Sequence, residues 1–257
     1  MQVDALVIAG GYNSDKLQKC SEVAKEALIP IGDKVMVEYV VEALEHTPGI
    51  NKIAIVGPNE LQNIFAHKEK LIIAEEGKSA IDSVINGLEL LKPQGRLLIL
   101  TADIPLINPP AISGFLEACQ DTSVDIYYPI VPREANEAKY PGIKRTYVTI
   151  KDGTYTGGNA FLVNPNIVHK CAEKGKRLVK LRKSPLALSS LIGWRFILKL
   201  VTRRLTLQEA EEKFSNLLGV KGRAVISPYP EIGIDVDKPS DLQLVKSVIE
   251  RTRCTYE

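Results

Sequence analysis

The chain has 257 residues, with 33 Lys and Arg against 31 Asp and Glu and a formal net charge of +2. Apolar residues make up 45% and charged residues 25%, which excludes a disordered, collagen-like or coiled-coil protein. The length fits one large α/β domain or two small ones, at about 100–200 residues per domain. The best candidate for a membrane span, residues 184–201, is broken by Arg195 and Lys199, so no spanning helix is expected. Residues 1–11 lack a basic leader and reach glycine too early for a signal peptide. Cys20, Cys119, Cys171 and Cys254 are scattered without a C-x-x-C pair, which reads as free thiols in a reducing cytoplasm.

In chain order, ALVIA at 5–9 is a short apolar run that ends at Gly10-Gly11 and predicts a buried strand. Apolar residues at helical spacing predict a helix over 35–44. IAIV at 53–56 is a second strand, closed by Gly57-Pro58-Asn59, and residues 71–74 are a third. Ser79 to Leu91 reads as a helix, Arg96 to Leu100 as a fourth strand, and Pro109 to Cys119 as a further helix. Strands expected at 126–131, 145–150 and 160–163 follow, with a hairpin signal at Asp152-Gly153. Thr206-x-x-Glu209 is a capping box that opens a helix through Leu218, and a last helix runs from Pro239 to Arg251. Apolar strands alternating with amphipathic stretches predict a three-layer α/β/α fold around a mostly parallel, mixed sheet. The expected organisation is a single domain over 1–257, with a basic helical insertion at about 170–220.

Charge is unevenly spread. Residues 170–204 hold eleven Lys and Arg and one Glu, so the rest of the chain carries a net −8. The amphipathic basic run from Lys174, followed by apolar stretches at 186–191 and 194–200, is suited to an anionic membrane surface or a phosphorylated partner. A solvated face over a homo-oligomer contact is the plainer alternative. Nucleic acid is not expected, because the acidic remainder repels it and no aromatic platform is interleaved.

Four segments carry candidate chemistry. Gly10-Gly11, directly after the first strand, lets the chain turn sharply and aim N–H groups at an anion, although alone it is equally a strand-to-helix turn. It matches neither G-x-G-x-x-G nor the P-loop. Asp103, in TADIPL at 101–106, stands at the carboxyl edge of the fourth strand, where ligands of open α/β sheets bind. Asp235 and Asp237 alternate with Ile234 and Val236 and so share one face, while Asp237 also suits a helix cap before Pro239. Ser79 is a natural N-cap with Asp82 in the first turn. None of the three histidines, His46, His67 and His169, falls in these segments.

The first strand with A-G-G, then Lys25 and LIPIGDK at 28–34 before an amphipathic helix, resembles the nucleotidyltransferases with a glycosyltransferase-A-type fold. These include the molybdenum-cofactor guanylyl- and cytidylyltransferases. The resemblance implies that Ala9, Gly10, Gly11 and Lys25 cradle a triphosphate. Lys16 stands near the family's loop Arg and supplies a point charge in place of its fork. It further implies that Asp103 and Asp235 bind Mg²⁺, that Gly77, Ser79 and Ser83 meet the base and ribose, and that Gly158 and Asn159 line the acceptor pocket. The implied reaction is Mg²⁺-dependent transfer of a nucleotidyl group from an NTP to a small phosphorylated or hydroxyl acceptor, with pyrophosphate released. A glycosyltransferase of the same fold and a nucleotide-binding regulator without turnover are the alternatives. A lysine-bearing phosphate loop favours an NTP.

Overall fold

The computed structural model describes residues 2–68, 70–181 and 191–254. The apolar runs of the first half form the parallel part of one nine-stranded sheet. β1 (Val3–Ile8) lies between β4 (Ile50–Gly57) and β6 (Arg96–Thr101), and β5 (Leu71–Glu75) flanks β4. The register sets Leu6 beside Ala54 and Ile99, and Val7 beside Ile55 and Leu100, all buried. Both faces are covered, so these strands show no polar alternation. β2 (Pro30–Ile31) and β3 (Lys34–Val35) make a separate hairpin just before α1.

α1 (Met36–Glu45) and α4 (Pro109–Ala118) cover one face, where Val37, Val40 and Leu44 pack with Val7, Ile55 and Phe115. A short α2 (Glu60–Ile64) follows β4. α3 (Ala80–Leu91) and α6 (Val168–Leu181) cover the other face, where Val84, Leu88 and Val168 meet Leu6, Val56 and Ile99. Gly87 lets α3 sit close to the sheet: a Cβ there would lie 2.3 Å from Leu6 Cδ1 and 2.8 Å from Val56 Cγ2.

In the second half, β10 (Ala160–Val163) pairs antiparallel with both β6 and β7 (Ile126–Pro132). After β7 comes α5 (Arg133–Lys139), and then β8 (Val148–Ile150) and β9 (Gly153–Gly157) form the expected hairpin at the far edge. β11 (Gly222–Ile226) joins β7 in parallel and has no counterpart in the sequence reading. Only β9 and β10 run against the other strands of the sheet, so it is mixed and mostly parallel as expected. The strand expected at 145–150 shortens to Val148–Ile150, because Arg145 is drawn toward Asp235.

The basic region contains α6 and α7 (Trp194–Val201), followed by α8 (Leu207–Leu218). The capping box forms as read: Glu209 N donates to Thr206 Oγ1 (3.2 Å) and Thr206 N to Glu209 Oε2 (3.1 Å). The basic residues 182–183 and most of the apolar stretch expected at 186–191 lie outside the described residues. α9 (Pro239–Cys254) closes the chain on a third apolar cluster, which gathers Leu17, Ile29, Ile31, Leu106, Ile234 and Val236. Among the described residues no helix is long and apolar enough to cross a membrane.

Gly87→Val forces branched methyls against Leu6 and Val56, and overpacking of this kind costs about 1–3 kcal/mol. A urea titration should show the midpoint falling with an unchanged slope; an unaltered midpoint would mean that α3 stands off the sheet.

Candidate active site

The strands β1, β4, β5 and β6 end at one edge, and a cleft of about 680 Å³ opens there. At its floor the Ala9 amide makes the last sheet bond, to the Val56 carbonyl (2.7 Å). Gly10 and Gly11 then leave the sheet and line the cleft. Among the described residues, neither of their amides donates to another protein group. The chain makes an excursion and returns where Tyr12 bridges Lys25 and the Glu26 amide donates to the Gly11 carbonyl (3.1 Å). Buried Asn13 closes this excursion by donating from Nδ2 to the carbonyls of Ser21 (2.9 Å) and Val23 (2.8 Å). Leu17 pins it into the third apolar cluster.

Lys25 is buried behind the glycine turn and, unlike its neighbours Gly10, Gly11 and Glu26, is not among the residues lining the cleft. Its ammonium donates to the Gly10 carbonyl (3.0 Å) and to both Glu76 oxygens (2.6 and 2.8 Å), and it sits 3.5 Å from the centre of the Tyr12 ring. It faces an adjoining hollow of about 610 Å³, and Glu76 lines both spaces. Lys16 is exposed at the start of a 3₁₀ turn and is not among the residues lining the cleft.

The far wall is acidic. The Val236 amide donates to the Asp103 carbonyl (2.9 Å), which lays residues 234–237 along the end of β6. Ile234 and Val236 are buried, and Asp235 and Asp237 line the cleft with Asp103. This alternation was legible in the sequence, although the segment is not a strand. Glu26 joins them and was missed. Because Lys25 is extended, the next residue turns the opposite way, into the cleft.

Crowding shows in the acidities. Burial, then repulsion from Asp103 and Asp237, pushes the Glu26 carboxyl up to about 7. Asp103 is pushed up to about 6 by burial and by Asp235 and Asp237, against the pull of the Thr101 hydroxyl, which donates to Oδ1. Asp237 is raised by burial and by Asp235, and Arg145 eases it. Arg145 is the second residue missed. It pairs with Asp235 and donates to the Gly233 carbonyl across 88 residues of chain, a contact without a local sequence signal.

On the base side, Ser79 caps α3 by accepting from the Asp82 amide (3.2 Å), and buried Ser83 accepts from the Gly77 amide (2.9 Å). Both hydroxyls therefore build the turn. A Cβ at Gly77 would lie 2.4 Å from Asp82 Cβ and 2.6 Å from its carbonyl carbon, so only glycine fits. Gly77, Ser79, Ala80 and Ser83 line the cleft, and the positive end of the α3 dipole opens onto it. On the acceptor side, Asn159 lines the cleft and its Nδ2, buried, has no hydrogen-bond partner among the described residues. Gly158 lies behind it, where a Cβ would sit 2.8 Å from Pro129 Cγ.

Among the described residues no group of three or more His, Cys, Asp or Glu side chains is arranged to hold a metal by itself. An open set of one or two hard carboxylates is what Mg²⁺ takes, because it keeps waters and binds substrate phosphates as well. Mutually repelling carboxylates at the mouth of a cleft fit such a cation.

Comparison with known proteins bears on this geometry. Two curated relatives are each 22% identical. One is the bifunctional protein GlmU of Thermodesulfovibrio yellowstonii, over 135 residues, 49% of this chain and 28% of that protein. The other is the 2-C-methyl-D-erythritol 4-phosphate cytidylyltransferase of an Enterobacter species, over 153 residues, 58% of this chain and 63% of that protein. The chain thus spans less than two thirds of either relative. A solved structure of a hypothetical transferase from Thermus thermophilus superposes with a TM-score of 0.82 at 37% identity, covering 94% of this chain and all of that one. A CMP:2-keto-3-deoxy-manno-octonic acid synthetase complexed with CTP superposes at 0.61 and 14% identity, covering 98% of this chain and all of its own, and shares the fold. The family model of the MobA-like NTP transferase domain matches residues 5–189, and the chain belongs to that family.

Proposed function

We propose that the chain is a Mg²⁺-dependent nucleotidyltransferase that moves a nucleotidyl group from an NTP to a small phosphorylated acceptor and releases pyrophosphate. One observation carries this reading. A single cleft joins anion-binding amides at Gly10, Gly11 and the start of α3 to a bank of carboxylates at Asp103, Asp235 and Asp237. Amides suit the phosphates and carboxylates suit the cation that accompanies them.

An acceptor phosphate is already ionised at neutral pH, so its oxygen attacks the α-phosphorus without a general base. The new P–O bond forms as the bond to the β-phosphate breaks, and pyrophosphate carries the electron pair away. Catalysis then rests on positioning and on stabilising charge. The Gly10 and Gly11 amides hold the phosphate chain, Lys25 offers its ammonium to it, and the turn at Gly77 to Ser83 seats the base and ribose. Asn159 Nδ2 donates to the acceptor. Asp103 and Asp235, with Asp237 beside them, would hold Mg²⁺, which when bound neutralises phosphate charge. Asp103→Asn keeps the size and the Thr101 contact but removes a charge. It should lower pyrophosphate release, measured over a panel of NTPs and phosphorylated acceptors, at least a hundredfold with the melting temperature undiminished. Unchanged turnover in that variant would put the cation elsewhere.

We assign α6, α7 and α8 to a basic insertion that selects the acceptor and its location. In α7, Trp194, Leu198 and Val201 recur at i, i+4 and i+7 and are 69%, 54% and 74% exposed. Exposed Arg195, Arg203 and Arg204 flank them, while Lys199 is paired with Glu209. An apolar stripe with a basic border matches an anionic membrane surface. The unpaired thiols of Cys20, Cys119 and Cys171 support a reducing, cytoplasmic setting for it. Each apolar side chain buried in the interface is worth about 1.5–3 kcal/mol. The double variant W194A/L198A should therefore lose at least tenfold in affinity for phosphatidylserine-containing vesicles in co-sedimentation, with little binding of either protein to pure phosphatidylcholine. Equal binding by variant and parent would refute the assignment, and a drop in oligomer size without vesicle binding would make the stripe a contact between copies.

A further inference from the structure

The Lys25 ammonium is enclosed by protein groups: it donates to the Gly10 carbonyl at 3.0 Å and faces both oxygens of the Glu76 carboxylate at 2.6 and 2.8 Å. The Tyr12 ring lies 3.5 Å away at its centre. A phosphate oxygen therefore reaches this lysine only by taking the place of a Glu76 oxygen. The two partners differ in freedom. The Lys25 side chain is 9% exposed and fixed by its surroundings, whereas Glu76 is 30% exposed. Among the described residues the Glu76 carboxylate accepts from Lys25 alone.

The Glu76 carboxylate also occupies the space in front of the glycine turn. A Cβ on Gly10 would lie 2.5 Å from Glu76 Oε2. It is an anion resting where Gly10 and Lys25 converge. When displaced it has somewhere to go, because Glu76 also borders the adjoining hollow, which is lined by Asn59 and Asn63 and opens to solvent.

We propose that Glu76 is a positioning residue that competes with substrate phosphates for Lys25, so that triphosphate binding is an exchange of one anion for another. This rests on the nucleotidyltransferase reading above and adds the residue whose displacement sets how tightly the phosphates bind. A buried ammonium stripped of its anion is strongly unfavourable, so Glu76 departs only when an equal or greater negative charge arrives. A phosphate chain that reaches Lys25 supplies that charge. The competition lowers the affinity of every phosphate ligand that uses Lys25 by the free energy of displacing Glu76.

The test uses inorganic triphosphate with Mg²⁺ in calorimetry on the full chain. Glu76→Gln keeps shape and one acceptor but removes the charge. It should bind triphosphate about tenfold more tightly, a change of about 1.4 kcal/mol. Glu76→Asp keeps the charge and should show no such gain. In a Lys25→Gln background the Glu76→Gln gain should vanish, because the two residues act on one another. In steady state Glu76→Gln should lower KM for the NTP without raising kcat. A merely structural ion pair predicts the reverse: a lower melting temperature with triphosphate binding unchanged or weaker, and that result would overturn the proposal. So would a gain that survives without Lys25. Pyrophosphate release by the unaltered protein tests the nucleotidyltransferase reading separately. If release is seen while Glu76→Gln binds no tighter, the exchange alone falls.

Discussion

The whole site depends on one backbone contact between distant segments, the Val236 amide on the Asp103 carbonyl at 2.9 Å. Asp103 is fixed by β6, a central strand buried on both faces. Residues 234–237 have no sheet of their own and are held by that bond and by the burial of Ile234 and Val236 beside Leu17, Ile31 and Leu106. Apolar burial at about 25 cal/mol per Å² is the force available to bring the acidic partners in. Two greasy side chains go down, and the two aspartates between and after them have nowhere to go but the cleft.

That arrangement costs electrostatic energy, and the chain offsets only part of it. Besides the Lys25-paired Glu76, four carboxylates share one opening, and both Glu26 and Asp103 respond by becoming weaker acids. Arg145 neutralises Asp235 from behind. Behind the glycine turn Lys25 is matched by Glu76, so it offers no spare positive charge to the acids. The unbalanced negative charge lies on the side where a cation would enter with its phosphates, and the free amides lie on the side where those phosphates would rest. Functional sites are where such strain is tolerated, because a ligand relieves it.

The sheet was legible because its signal is local. Continuous apolar runs located β1, β5 and β6 to within two residues of their observed ends and the middle of β4, which extends from 53–56 to Ile50–Gly57, and the Thr206 and Ser79 caps were recognisable by residue type and spacing. β11 was not legible, since a short edge run such as RAVI carries no period and acquires its state from pairing with β7. The carboxylates at the ends of apolar segments could be read as candidates. Their shared cleft could not, because it is made by contacts across more than a hundred residues. Glu26 was hidden for another reason. It follows a lysine directly in the chain, and only the backbone direction at the Tyr12–Lys25 bridge decides which of the two neighbours faces inward.

The same bridge lets the turn after β1 carry a long excursion between Tyr12 and Lys25. Loop closure costs little more for each added residue once the ends are fixed. Here the ends are fixed twice, by the Gly11–Glu26 and Asn13–Ala24 backbone bonds. Asn13 ties the inner carbonyls, and Leu17 buries the tip in the cluster that also holds Ile234 and Val236. The Ser14 hydroxyl reaches the Asp237 carbonyl at 3.4 Å from the same excursion. The glycine turn and the acidic segment are therefore braced against one body of apolar side chains. One apolar cluster thus sets the distance between the glycine turn and the acidic segment. A fixed distance of this kind is what the proposed transfer requires, since small misplacements between reacting groups are expensive in rate.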